Sequence, residues 1–117
     1  MISTQLIDVS LLDEVSSGDV AFKKMMLEMI IVEISEEVPK MKQLLENDDW
    51  ETIHNVSHKL KTTLGYICNE DICARNRQVE SASKHKTELE ISTQNINNLI
   101  EHLPIMLEEL ENLAASL

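Results

Sequence analysis

The run from Trp50 to Cys68 limits the possible folds of this chain more than any other stretch. At about 100° per residue, Ile53, Val56, Leu60, Leu64 and Ile67 fall between roughly 160° and 240° from His58. That is one continuous apolar stripe on one side of a helix. His54, Lys61, Thr62 and Gly65 lie within about 60° of His58, so His58 projects from the middle of the polar face. Gly65 is out of place there, because Gly on a solvated helix face costs about 1 kcal/mol against Ala. Its presence implies that something approaches the helix closely at that point.

The rest of the chain repeats the helical period. A short helix is expected over about 10–16, with Ser10 as its N-cap and Leu11, Leu12 and Val15 facing inward. Ser16-Ser17-Gly18 breaks it, and Asp19 caps a long helix reaching about Glu46. Phe22, Met25, Met26, Met29, Ile30, Ile34, Met41, Leu44 and Leu45 are its expected inward positions, and Pro39 removes a hydrogen bond or kinks it. Asp48 and Glu51 form a capping-box pair before the third helix. Asn69-Glu70-Asp71 starts a fourth, running to about Ser83, with Ile72, Cys73, Val79 and Ala82 inward. Lys84-His85-Lys86 is the expected connection. Thr87 and Glu90 cap a last helix to about Ala115, through Ile96, Leu99, Ile100, Leu103, Leu107, Leu110 and Ala114, with a kink at Pro104.

No strand-like alternation, internal repeat or low-complexity segment competes with this reading. With 117 residues, 43% of them hydrophobic, and only two Gly and two Pro, the chain is one ordered domain over 1–117. Short connections make successive long helices antiparallel neighbours. The fold class is therefore all-α: an up-and-down four-helix bundle with a short additional N-terminal helix. The six Met residues fall mostly on inward stripes and read as core filling.

A net charge of −11 argues against a nucleic-acid partner or an acidic membrane surface, since both need exposed Lys and Arg. Six of the ten basic residues, Lys59, Lys61, Arg75, Arg77, Lys84 and Lys86, nonetheless fall between 59 and 86, a local zone suited to an acidic partner site. Cys68 and Cys73 make no disulfide framework, and their spacing matches no common zinc pattern. They read as ordinary thiols. The N-terminus lacks a basic, then apolar, leader pattern, and no stretch approaches the roughly 20 apolar residues of a membrane span. A cytoplasmic protein is expected, with no membrane insertion.

Ser57-His-Lys-Leu-Lys-Thr-Thr-Leu-Gly65 resembles the signature of histidine-containing phosphotransfer (HPt) domains, the intermediate carriers of multistep phosphorelays. That pattern is a histidine, any residue, a hydrophobic residue, lysine, then small residues. Gly18-Asp19…Phe22, Ile34-Ser-Glu-Glu-Val-Pro39 and Asn47-Asp-Asp-Trp50 share the family's look, so the resemblance covers nearly the whole chain. Two positions depart from it. Thr62 and Cys68 stand where Gly is usual or frequent, and Thr62 narrows the approach to His58.

The resemblance implies that His58 accepts a phosphoryl group from a receiver-domain aspartate and passes it to another response regulator. Neutral imidazole is nucleophilic, the N–P bond is labile, and the exchange needs an exposed ring, a cation and room for the partner. His58, Lys61 and Gly65 match those needs, with Lys61 stabilising the phosphoryl oxygens. Lys59, Thr62 and Gly65 are the implied docking positions. A polar residue on the next helix often holds the other ring nitrogen in this family. Glu80 matches that position, Gln78 is the alternative, and a carboxylate there would fix the tautomer. The implied partners are receiver domains and a hybrid sensor histidine kinase. The chain would be a monomer without a cofactor of its own, the required Mg²⁺ belonging to the receiver.

Two other readings fit parts of the same residues: an adaptor that docks receivers without carrying phosphate, and a bundle that binds metal through His54 and His58, four apart on one face. The second lacks an HExxH glutamate and an evident third ligand, so no metal is expected. With Gly18 and Gly65 its only glycines, the chain has no phosphate loop, and no kinase or hydrolase motif can be read. A phosphohistidine carrier without autonomous kinase activity is the expectation. His85 and His102 are read as incidental.

Overall fold

The computed structural model describes residues 6–117. Met1 to Gln5, where most of the expected leaderless N-terminus and the first methionine fall, lie outside the described residues. In chain order the elements are α1 (Ser10–Ser16), α2 (Val20–Glu46), α3 (Trp50–Ile67), α4 (Glu70–His85) and α5 (Leu89–Ser116). Each long helix packs on two others: α2 on α3 and α5, and α4 on α3 and α5, with the diagonal pairs apart. Cross-links give the directions. Lys59 and Thr63 of α3 meet Glu37 and Glu33 of α2 in reverse order. Ser57 and Leu64 meet Asn76 and Cys73 of α4 in the same way. Neighbours therefore run antiparallel, as an up-and-down four-helix bundle.

The short α1 packs on α2 and α3 and closes one end. The chain before it is tied to the α3–α4 corner by backbone bonds from Asp8 N to Ile67 O (2.8 Å) and from Asn69 N to Leu6 O (2.9 Å). Leu6 and Ile7 N–H groups also donate to the Glu109 carboxylate of α5.

Cap chemistry sets the helix starts. Asp19, Asp49 and Asn69 side chains accept the N–H of Phe22, Thr52 and Ile72, satisfying donors that have no partner within the helix. The cap of α3 is thus Asp49, one residue beyond the expected Asp48, which takes a left-handed conformation (φ 51°) in the turn. Ser10 is inside α1 rather than its cap. Its N–H and hydroxyl both donate to Asp8. Thr87 does not cap α5 either: Glu88, left-handed at φ 49°, holds that position without a side-chain bond. Lys84 and His85 belong to the last turn of α4, and the connection begins at Lys86, also left-handed. Pro39 and Pro104 lie inside α2 and α5, which continue through them with one ladder bond missing at each.

Leu12, Leu27, Ile34, Val38, Met41, Ile53, Leu60, Leu64, Ile67, Met106 and Leu110 are fully buried and form one core. The stripe expected on α3 is this core's wall. The expectation for α2 is wrong in part. Phe22, Met25 and Met29 are exposed, Met29 at 61% of its surface, while the expected Ile30, Ile34 and Met41 are buried and are joined in the core by Leu27 and Val38. On the wheel these five lie within about 40° of Ile34, whereas Met25, Met29 and Val32 lie roughly 160–220° away. α2 thus has two opposed apolar faces, and only one meets the bundle. Met25 and Met29 are not core filling; Met41 and Met106 are. Of the three inward positions expected on α1 only Leu12 is buried, while Leu11 and Val15 are exposed. Cys68 and Cys73 are free thiols. Burial pushes both up from their ordinary range, so neither is an effective nucleophile at neutral pH.

Candidate functional site

His58 stands on the outward side of α3, with 68% of its side chain exposed. Leu60 and Leu64 on the opposite side are fully buried and fix which way α3 faces. Ser57, also fully buried, passes its carbonyl to Asn76 Nδ2 of α4 at 2.9 Å, which ties the helix at the residue before His58.

Nδ1 of His58 bonds a carboxylate oxygen of Glu80 on α4. A carboxylate only accepts, so this ring nitrogen carries the proton. In the neutral imidazole this is the Nδ1–H tautomer, which leaves the lone pair on Nε2. The alternative partner, Gln78, faces the other way. Its Oε1 accepts from Ser92 Oγ (3.3 Å) and Asn95 Nδ2 (2.9 Å) of α5.

Lys61 Nζ lies 3.8 Å from the other Glu80 oxygen. The Glu80 carboxylate therefore sits between an imidazole and an ammonium, with 15% of its side chain exposed. Thr62 is exposed on the same face. Gly65 follows, and a Cβ built there would meet nothing within 4 Å. Neither a positive φ nor packing inside the chain accounts for this glycine.

Lys59 points toward α2 and pairs with Glu37 at 3.0 Å, while Lys40 reaches the same oxygen at 3.3 Å. The Lys59 hydrogen bond, aided by Lys40, holds the Glu37 carboxyl below its ordinary range, and Glu37 in turn raises Lys59. Lys59 also borders an open groove with Met29, Val32, Glu33 and Glu36, so the outer apolar face of α2 runs beside the α3 rim. The basic zone expected over 59–86 is partly neutralised within the chain. Arg75 pairs with Asp71, and Arg77 with Glu70.

Sequence reasoning missed three features. His54 Nδ1 bonds the backbone carbonyl of Glu80 at 2.7 Å, and its ring stacks on that of His58 with centroids 6.2 Å apart. Its position one turn before His58 on the same face was the available signal. Asn76 interrupts the apolar stripe Ile72–Asn76–Val79, a sign that an inward polar group has a partner. The outer stripe of α2 was hidden by the assumption that its apolar residues share one face. Among the described residues no three His, Cys, Asp or Glu side chains cluster as metal ligands would. No helix of the described chain is long and apolar enough to cross a membrane.

The Hpt domain family model matches residues 25–113. No curated protein matches. Two solved structures share the fold. Histidine-containing phosphotransfer protein B from Pseudomonas aeruginosa superposes with a TM-score of 0.82 at 12% identity, over 98% of this chain and 99% of that one. The HPT domain of the Hpt sensor hybrid histidine kinase from Shewanella gives a TM-score of 0.80 at 22% identity, over 95% of each chain.

Proposed function

This chain belongs to the Hpt domain family, with a role in histidine phosphotransfer, and on that premise we propose that His58 is its phosphoacceptor. In this reading His58 takes the phosphoryl group from the aspartate of one response-regulator receiver domain and returns it to the aspartate of another. The observation that carries it is the exposed His58 ring whose Nδ1–H is held by Glu80, which leaves Nε2 as the free nucleophile.

The chemistry follows from that tautomer. The Nε2 lone pair forms the N–P bond as the P–O bond to the aspartyl group breaks, and the carboxylate leaves with the electron pair. A ring with Nδ1–H retained becomes positively charged when Nε2 is phosphorylated. The Glu80 carboxylate already faces that charge, so no proton needs to move. Lys61, loosely paired at 3.8 Å, has the reach to turn from Glu80 to the phosphoryl oxygens. The reverse step breaks N–P and reforms the acyl phosphate on the second receiver. Mg²⁺ is the receiver's contribution.

Docking is assigned to the face around His58. Gly65 leaves open space beside the helix, Thr62 borders the approach, and Lys59 marks the rim toward α2. Beyond that rim, Met29 and Val32 offer apolar surface for a receiver to cover. The chain acts as a single domain and a monomer in the cytoplasm, downstream of a hybrid sensor kinase. The test is transfer in sequence. Label on a phosphorylated receiver should move to this chain and then to a second, unlabelled receiver in the presence of Mg²⁺. Binding to receivers without uptake of label would make the chain an adaptor instead.

A further inference from the structure

Glu80 holds two histidines, through different atoms. Its carboxylate accepts from His58, and its backbone carbonyl accepts from His54 Nδ1 at 2.7 Å. A carbonyl only accepts, so His54 also carries a proton on Nδ1. Glu80 lies five residues before the end of α4 at His85. The next cross-link toward the middle of α4 is Asn76 to Ser57. Beyond it, His54 provides a directional tie between α3 and this end of α4. The His58 ring, 68% exposed, has little packing of its own to fix it. Its orientation depends on the Glu80 carboxylate and on the stacked His54 ring, centroids 6.2 Å apart and planes 23° from parallel.

We propose that His54 is a positioning residue for phosphotransfer. Its Nδ1–H bond to the Glu80 carbonyl sets α4 against α3 so that the Glu80 carboxylate holds His58 with Nδ1 protonated and Nε2 free. The inference rests on the reading that His58 Nε2 takes the phosphoryl group. It does not make His54 a phosphoacceptor or a metal ligand. Half-buried packing alone would be served by an apolar side chain. The hydrogen bond is served only by a donor at the place of Nδ1.

That distinction chooses the variants. Asn carries its amide nitrogen at the position of Nδ1 and keeps the donor. Leu keeps bulk and loses it. The Glu80 carbonyl keeps a bond from Ser83 Oγ at 3.2 Å, so His54→Leu leaves it with a partner and the fold intact. Ring ¹⁵N spectra of the intact chain, recorded without any phosphate donor, report the tautomers directly. In the wild type His54 should show a protonated Nδ1 and a bare Nε2, and His58 the same. In His54→Leu the His58 signals should shift toward the Nε2–H form that free histidine favours, and transfer from a saturating phosphorylated receiver should slow by roughly 3- to 10-fold. His54→Asn should restore both.

A wild-type His54 with Nε2 protonated and Nδ1 bare would overturn the proposal without any variant. So would His54→Leu with wild-type tautomer and rate, or a His54→Asn protein that behaves like His54→Leu. Failure of the phosphotransfer reading itself is separable. It would appear as a wild-type chain that takes up no label, whatever its tautomers.

Discussion

The carboxylate of Glu80 on α4 accepts a hydrogen bond from Nδ1 of His58 on α3, across 22 residues of sequence. This contact turns an exposed surface histidine into a ring with one nitrogen committed and one available. It also places a negative charge where phosphorylation of Nε2 would create a positive one. Removing the carboxylate should therefore slow transfer while sparing the fold. Glu80→Ala is expected to lower the transfer rate by about 5- to 30-fold, with Glu80→Gln between it and the wild type because an acceptor remains without the charge. Rapid-quench transfer rates would show this, and an Ala variant at the wild-type rate would remove Glu80 from the site.

Lys61 is held only loosely by Glu80, at 3.8 Å, and over half of its side chain is exposed. Its contribution should come from charge and be screened by salt. Lys61→Ala is expected to slow transfer by roughly 3- to 30-fold at low salt, with a smaller deficit at high salt, and Lys61→Arg should retain more of the rate. The same rate for Lys61→Ala and wild type at low salt would make it an ordinary solvated lysine.

Met29 tests the outer face of α2. Being 61% exposed, it should matter little to stability, and Met29→Asp is expected to change unfolding free energy by no more than about 0.5 kcal/mol. If a receiver covers this face, the concentration for half-maximal transfer should rise about 3- to 10-fold with the plateau rate unchanged. A variant with wild-type concentration dependence would place the docking surface elsewhere.

How much of this was legible in the sequence varied by element. On α3 the apolar residues occupy one stripe, so the period gave both the helix and its exposed face. On α2 the same period fits two opposed faces, and periodicity cannot say which is covered. The inward set was therefore misread at Phe22, Met25 and Met29. The caps slipped by a residue where Asp48 and Asp49 compete, because only the backbone decides which carboxylate meets the free N–H groups. Glu80 was reached through the family pattern, whereas choosing it over Gln78 required the rotation of α4. His54 was weighed only as a metal ligand beside His58, because its actual partner is a backbone carbonyl, which leaves no residue-type signal.

Glu37 links stability to pH. Hydrogen bonding to Lys59, with help from Lys40, lowers its folded pKa below the ordinary 4.5. The folded state then binds the proton less tightly than the unfolded chain. The contribution is fully present above pH 4.5 and is lost as the pH falls through the lower folded value. Denaturation midpoints should show Glu37→Gln less stable than wild type at neutral pH, with the gap closing as the pH falls below 4.5. A gap unchanged across that range would mean that the carboxylate charge contributes nothing.

The central claim is that His58 carries the phosphoryl group. The most direct measurement incubates the chain with a labelled phosphoreceiver and Mg²⁺, then assays bound phosphate after acid and after base. Wild type should acquire one acid-labile, base-stable phosphate. His54→Gln should still acquire it, and His58→Gln should acquire none. Acid-labile label on the His58→Gln protein would contradict the assignment.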